Sequence, residues 1–167
     1  MLNVKSIFRF FFFYIMKLDN LDKQILKLLQ HDSSLKTKEV AASIGLSVTP
    51  TYDRIKRLEK EGVIKKYVAI LNKKAINKAV IVICHITLIK HEQSLVAKFE
   101  NEICKISEVM ECFNIAGNYD YILKVIVPDL NSYRDVVTSK ISTISNVSNV
   151  NSSFVMTEVK NETALSL

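Results

Sequence analysis

Hydroxyl and cationic side chains cluster between residues 36 and 66 of this 167-residue sequence. Within that segment, Arg54 can donate two hydrogen bonds to a guanine or hold a phosphate, and Thr49 and Thr51 are short enough to approach base edges. This chemistry is typical of contact with nucleic acid. The residues predicted to contact DNA are Thr37, Lys38, Ser47, Thr49, Thr51, Arg54, Lys56, Arg57 and Lys60.

Two helical patterns would position these side chains. The first carries apolar residues at helical spacing and ends at Gly45, and the second begins after Ser47 and ends at Gly62. The second pattern predicts an inward face of Val48, Tyr52, Ile55 and Leu58 and an outward face of Thr49, Thr51, Asp53, Arg54, Arg57 and Lys60. Two short helices joined by a glycine turn indicate a helix-turn-helix, whose second helix lies in the DNA major groove.

An earlier amphipathic pattern over residues 21–29 predicts a further helix that completes a three-helix core. Asp19, Thr37 and Ser47 are the predicted N-caps of the three helices, because their side-chain oxygens can accept an otherwise unpaired backbone N–H. Pro50 falls in the first turn of the third helix, where a missing N–H costs little. These signals predict a winged-type helix-turn-helix domain.

The positive charge lies in the same part of the chain. Residues 16–78 carry 14 Lys and Arg against 7 Asp and Glu, whereas residues 79–167 carry 7 against 10. A mildly acidic remainder disfavours a protein that coats polyanions along its whole surface. We predict a DNA-binding domain over 16–64, an extended linker over 65–78 and a second domain over 79–167.

Residues 1–15 differ from the rest of the sequence. Their aromatic run is interrupted by Arg9 and is shorter than the ~20 residues that cross a bilayer. The residues that follow it lack the small side chains of a signal-peptide cleavage site. We interpret 1–15 as a non-native upstream extension, with translation starting at Met16, or else as a disordered tail, and we predict no membrane partner. The alternative is a genuine tail that contacts a membrane.

The second half alternates strand-like and helix-like patterns. The predicted elements are a strand over 80–88, a helix over 94–106, strands over 109–116 and 120–127, a helix over 130–141 and an extended stretch over 147–159. The order βαββαβ predicts a ferredoxin-like domain with both helices on one face of an antiparallel sheet. The chain as a whole is therefore predicted to be α+β.

That arrangement leaves one sheet face without a covering layer. In the first strand, Val82 and Ile86 alternate with Ile83 and His85, so neither face is polar. An uncovered apolar face predicts sheet-to-sheet dimerisation. A dimer would also present paired helix-turn-helix units to paired DNA half-sites.

The sequence offers little support for catalysis or metal binding. Cys84, Cys104 and Cys112 have no CxxC spacing and are interpreted as reduced thiols. No paired carboxylates, nucleophile–base set or phosphate loop is evident, so we predict no enzyme, no catalytic residues, no metal site and no cofactor.

Three stretches carry a family resemblance. Residues 46–72 (LSVTPTYDRIKRLEKEGVIKKYVAILN), 117–125 (GNYDYILKV) and 154–167 (FVMTEVKNETALSL) together resemble the leucine-responsive regulatory protein/AsnC family of transcription regulators. The resemblance runs from Met16 to Leu167. It implies an N-terminal DNA-reading domain, a C-terminal ligand-sensing domain, and dimers that associate further into tetramers or octamers.

The same resemblance implies an amino-acid effector bound between dimers. The implied effector-binding residues are Gly117, Asn118, Tyr119, Asp120, Leu130, Phe154, Val155 and Thr157. Gly117 permits a tight turn whose backbone amides can hold a carboxylate, and Asp120 can accept from an ammonium group. The alternative is that Gly117 and Asn118 form only a hairpin turn, which Asp120 caps.

We therefore predict a cytoplasmic, nucleoid-associated transcription regulator that binds double-stranded DNA in a sequence-specific manner. Its assembly or DNA affinity would be modulated by a small effector, an amino acid by resemblance. One alternative is an architectural DNA-binding protein that responds to no metabolite. Another is an enzyme similar to tetrapyrrole decarboxylases, for which only His31, His85 and His91 are available.

Overall fold

The computed structural model describes residues 17–167, so the predictions for residues 1–15 lie outside the described part of the chain. The chain divides into two compact units. The first ends at Ala69 and also includes Asn161–Leu167, and the second spans Ile70–Lys160. The last residues of the chain therefore lie with the first unit, whereas the sequence assigned them to the C-terminal domain.

In its described residues, the first unit contains three helices, α1 (Asn20–His31), α2 (Thr37–Ile44) and α3 (Val48–Lys60). Their shared core is formed by Ile25, Leu26, Val40, Ile55 and Leu58. This is the predicted three-helix core. Residues 63–71 follow α3 without forming a strand in the described chain.

The helix ends confirm the predicted turn and correct one cap. Gly45 adopts a φ of 70°, a conformation that glycine reaches without a Cβ penalty, and it turns the chain from α2 towards α3. Asp19 caps α1 as predicted, because its side chain accepts from the backbone N–H of Asp22 at 2.8 Å. The predicted cap at Thr37 is wrong by one residue, since Lys36 is the N-cap of α2.

The second unit has the predicted order of strands and helices. Its elements are β1 (Val80–Leu88), α4 (Gln93–Ile103), β2 (Val109–Asn114), β3 (Tyr121–Val127), α5 (Leu130–Val136), a single π-helical turn (Val137–Ile141) and β4 (Val147–Phe154). The strands form one antiparallel sheet in the order β2–β3–β1–β4. This is the split βαβ arrangement.

One face of this sheet packs on the helices. Val82 and Leu123 from the two central strands are fully buried with Phe99 of α4 and Val136 of α5. The strand alternation sends Ile83 and His85 to the opposite face, where they are only half-buried. The prediction that the helices cover one face is confirmed, and dimerisation through the other face stays a prediction.

The final strand is shorter than expected. The extended stretch predicted over 147–159 forms sheet pairs only as far as Phe154. The helix predicted over 130–141 changes from α to π geometry at Val137. Within residues 17–167, no helix combines the length and apolar character needed to cross a bilayer.

Candidate DNA-binding surface and effector site

The outward face of α3 differs in phase from the predicted one. Thr51, predicted to approach DNA, is fully buried, and its hydroxyl donates to the carbonyl of Ser47 at 2.9 Å. Val48 and Tyr52, predicted to face the core, are about half exposed. The prediction for Thr51 is therefore wrong, as is the inward placement of Val48 and Tyr52, whereas Ile55 is buried as expected.

Thr51 can be buried because its hydroxyl donates to a carbonyl of its own helix. Its hydroxyl is satisfied by the preceding turn of the same helix, so burial costs no unpaired polar group. Tyrosine carries a polar tip and tolerates a surface position. A hydrophobicity pattern therefore assigned Tyr52 to the core and Thr51 to solvent, the reverse of what the structure shows.

Arg54 and Arg57 are paired with carboxylates of α1. Nη1 of Arg54 lies 2.7 Å from Oδ2 of Asp19 and 2.8 Å from Oδ1 of Asp22, and Nη2 of Arg57 lies 2.7 Å from both oxygens of Asp22. Asp22 is only 1% exposed. The two arginines therefore tie α3 to the start of α1, and contact with DNA stays a prediction for both.

Lys56 belongs to the exposed side of α3. Its ammonium lies 5.6 Å from the ring centroid of Tyr52 and 2.7 Å from Oε2 of Glu59. Thr49 and Lys60 are exposed as predicted, and Ser47 is exposed at the N-cap without accepting a side-chain capping bond. The exposed residues of α3 are Val48, Thr49, Pro50, Tyr52, Asp53, Lys56, Arg57 and Lys60.

α2 presents the remaining predicted DNA contacts. Lys38 is exposed in its first turn and Thr37, the first residue of the helix, is partly exposed. Oε2 of Glu39 accepts the backbone N–H of Lys36 at 2.7 Å, which fixes the helix start. A helix N-terminus with unpaired backbone N–H groups is suited to a phosphate contact.

The predicted effector residues divide into two groups in the second unit. Gly117, Asn118, Tyr119 and Asp120 form the loop between β2 and β3, and this loop meets β1 at Ile86, whose carbonyl accepts the N–H of Asp120 at 2.9 Å. Val155 instead donates its N–H to Ile81 at 3.0 Å. These two contacts on β1, at Ile86 and Ile81, are five residues apart, which is about 16 Å of strand.

The loop group is held by several polar contacts. Gly117 has a φ of 144°, which strains any residue with a Cβ. The Tyr119 ring lies 4.7 Å from the His85 ring on β1. Asp120 accepts the N–H of Leu88 at 2.7 Å and pairs with Nε2 of His91 at 2.7 Å. The Leu88 contact, followed by His91, lowers the pKa of Asp120, so the loop presents a carboxylate at neutral pH.

The other group lines a cleft of about 580 Å³. Leu130, Phe154 and Val155 contribute to its mostly apolar wall, whereas Thr157 is exposed and does not line it. The Tyr133 hydroxyl at this cleft hydrogen-bonds both the Ser152 hydroxyl and the buried thiol of Cys84. Burial is the main cause that raises the pKa of Cys84, so this thiol is structural rather than a nucleophile.

Sequence reasoning missed Tyr133, Ser152, Arg134 and Thr138, which also line the cleft. Only the spacing of residues 130, 133, 134, 137 and 138, which share one helical face, could have indicated Tyr133, Arg134 and Thr138. No local pattern indicates Ser152, which lies on β4. Residues 17–167 contain no cluster of three or more His, Cys, Asp or Glu side chains arranged to hold a metal ion.

Comparisons with known proteins decide the family. The winged helix-turn-helix DNA-binding model matches residues 18–65, and the Lrp/AsnC ligand binding domain model matches residues 81–165. The chain belongs to the Lrp/AsnC family of transcription regulators. The leucine-responsive regulatory protein of Klebsiella pneumoniae is 34% identical over 89% of this chain and 90% of its own length.

Solved Lrp/AsnC structures share the fold along nearly their whole length. An AsnC family regulator from Agrobacterium tumefaciens superposes with a TM-score of 0.86 at 35% identity, covering 89% of this chain and 97% of its own. A transcriptional regulator from Neisseria meningitidis, solved as a complex with L-Met, has a TM-score of 0.86 at 29% identity, covering 90% and 97%. The predicted family, fold class and regulatory function are thereby confirmed.

Proposed function

We propose that this Lrp/AsnC regulator binds double-stranded DNA through the exposed face of α3 and changes its assembly or DNA affinity when an amino acid binds its second unit. The DNA half of this proposal is supported by the exposed Thr49, Tyr52, Lys56 and Lys60. Lysines supply salt-dependent phosphate affinity, and short or aromatic side chains on the same face contact base edges. Acting on chromosomal DNA, such a regulator works in the cytoplasm at the nucleoid.

The effector half rests on one observation, the separation of the loop group from the cleft group. The carboxylate of Asp120 suits an ammonium group, and the apolar wall around Leu130 and Phe154 suits an apolar side chain. Because about 16 Å of strand lies between them in one protomer, a single free amino acid does not reach both. The site is completed when the loop of one copy approaches the cleft of another, which makes effector binding and assembly interdependent.

The nature of the effector is inferred from this chemistry and from the relative solved with L-Met. An amino acid with an apolar side chain places its ammonium at Asp120 and its side chain in the cleft. The wall of the cleft is mostly apolar, which favours an apolar side chain over a charged one. We infer a regulatory role without catalysis, in keeping with relatives that are named as regulators.

The proposal is tested by light scattering and DNA binding on the full chain. Its mass is expected to be a multiple of two subunits and to shift with one or more amino acids from a panel of twenty. The logarithm of DNA affinity should fall linearly with the logarithm of salt concentration, with a slope set by the number of phosphates contacted. A monomer that ignores every amino acid and binds DNA would contradict the effector half and favour the architectural alternative.

A further inference from the structure

Asp120 has two carboxylate oxygens in different situations. Oδ2 accepts the backbone N–H of Leu88 at 2.7 Å, a contact built into the end of β1. Oδ1 is bonded at 2.7 Å by Nε2 of His91, whose side chain is 68% exposed. One oxygen is therefore fixed by the fold, and the other is occupied by a surface side chain.

A carboxylate oxygen can accept more than one donor, and the second of these oxygens is the one that an effector ammonium can take without sharing it with the main chain. Oδ2 is already committed to a main-chain donor that does not leave while β1 and the loop stay paired. Oδ1 is the oxygen at which an N–H donor from a ligand replaces an existing donor with no change in the sheet. His91 occupies this position in the structure.

We propose that His91 is an internal competitor for the effector's ammonium group at Asp120 and that it sets the effector affinity of this regulator. This inference rests on the proposed function, because it assumes that the effector binds at Asp120. On binding, the imidazole leaves Oδ1 and the ammonium takes its place. His91 acts through Asp120 and does not itself hold the effector.

The loop keeps its shape when His91 leaves. The N–H of Asp120 donates to Ile86 and its carbonyl accepts the N–H of Ile115, both at 2.9 Å. With Oδ2 also held by Leu88, the carboxylate stays oriented without the imidazole. A positioning role for His91 would require the opposite, a carboxylate that loses its orientation once the ring is gone.

The competitor role and the positioning role predict opposite changes in effector affinity when His91 is replaced. Removing a competitor tightens effector binding, and removing a support weakens it. An exposed pair of this kind is worth little, so the expected gain for His91→Ala is about two- to fivefold in affinity. Lys90→Ala is the matched control, because it removes a neighbouring exposed cation whose carboxylate partner is Glu92 at 3.8 Å.

The experiment is isothermal titration of the full-length protein with L-methionine, comparing wild type, His91→Ala, Lys90→Ala and Asp120→Asn. We expect tighter binding for His91→Ala, wild-type affinity for Lys90→Ala and strongly weakened binding for Asp120→Asn. Thermal unfolding of each variant checks that it is folded.

The outcomes separate this inference from the proposed function. Unchanged or weaker binding by His91→Ala, with Asp120→Asn still defective, overturns the competitor and leaves the effector site in place. An equal gain in Lys90→Ala would trace the effect to general surface charge and also overturn it. Absence of L-methionine binding in both the wild type and His91→Ala overturns the competitor for this effector, and full binding by Asp120→Asn overturns both the competitor and the effector site at Asp120.

Discussion

Asp22 of α1 accepts hydrogen bonds at 2.7 Å from Nη2 of Arg57 in α3, and it does so from a nearly inaccessible position. The carboxylate that anchors the start of the first helix thus also orients the third. Two arginines that a sequence reading assigns to DNA therefore contribute to the internal architecture of the helix-turn-helix.

Replacing this carboxylate should destabilise the first unit. Asp22→Asn removes the charge that Arg54 and Arg57 share, and hydrogen bonds to charged groups contribute about 1.5–3 kcal/mol each, so we expect a loss of that order in unfolding free energy. Chemical denaturation measures it. Asp53→Asn, the same change at an exposed position of α3, should alter stability by less than about 0.5 kcal/mol. Equal effects of the two changes would show that the arginine pairing contributes nothing particular.

Two threonines on one turn of α3 should separate DNA contact from folding. Thr49→Val removes an exposed hydroxyl and should weaken DNA binding with little change in stability. Thr51→Val removes the buried bond to Ser47 and should cost about 0.5–1.5 kcal/mol of stability while leaving DNA affinity unchanged. Fluorescence anisotropy with labelled DNA measures the DNA affinity of each variant, and thermal unfolding measures its stability. A loss of DNA affinity by folded Thr51→Val as large as that of Thr49→Val would contradict the assignment.

Asp120 should make the second unit sensitive to acid. The N–H of Leu88, and then His91, hold its pKa below the ordinary value of 3.8. A carboxyl with a lowered folded-state pKa stabilises the fold above its unfolded-state pKa, and that contribution disappears as pH falls through the folded-state value. Urea unfolding from pH 6 down to pH 2 should show a shallower loss below about pH 4 in Asp120→Asn than in wild type. Parallel curves would mean that Asp120 is not coupled to folding.

The C-terminal tail should be released by one substitution. The Gln30 side chain of α1 accepts the N–H of Leu165 at 2.7 Å and donates to its carbonyl at 3.2 Å, as a strand partner would. Gln30→Leu should speed amide hydrogen exchange at Leu165, because the amide loses its acceptor. Gln24→Leu, an exposed position on the same helix, is the control and should leave that rate unchanged. Slow exchange that persists in Gln30→Leu would show that other contacts hold the tail.

The parts of the fold that depend on local pattern were predictable. The β-branched run from Val80 to Leu88 forms a strand with the predicted bounds, and Gly45 turns the chain between two helices as expected. Local signals suffice at these places because β-branched apolar residues favour a strand and a left-handed turn favours glycine.

The candidate site was less predictable, for two physical reasons. The pairing of Arg57 with Asp22 joins residues 35 positions apart, and no local pattern reports such a contact. The buried face of α3 was predicted incorrectly because the Thr51 hydroxyl is satisfied by a hydrogen bond within its own helix, which lets a polar residue lie in the core. Family resemblance grouped Asp120 with Phe154, and only the strand register shows that they meet β1 at different ends.

The central claim is that one effector site is built from two copies of the chain, and subunit mixing tests it most directly. Asp120→Asn impairs the loop, and Leu130→Asp impairs the cleft at an exposed position where the fold should tolerate it. Neither variant alone should bind the effector in a calorimeter. After co-refolding in equal amounts, about a quarter of the sites should bind, because each needs an intact loop from one copy and an intact cleft from another. No binding in the mixture would contradict the shared site and confine the effector to a single protomer.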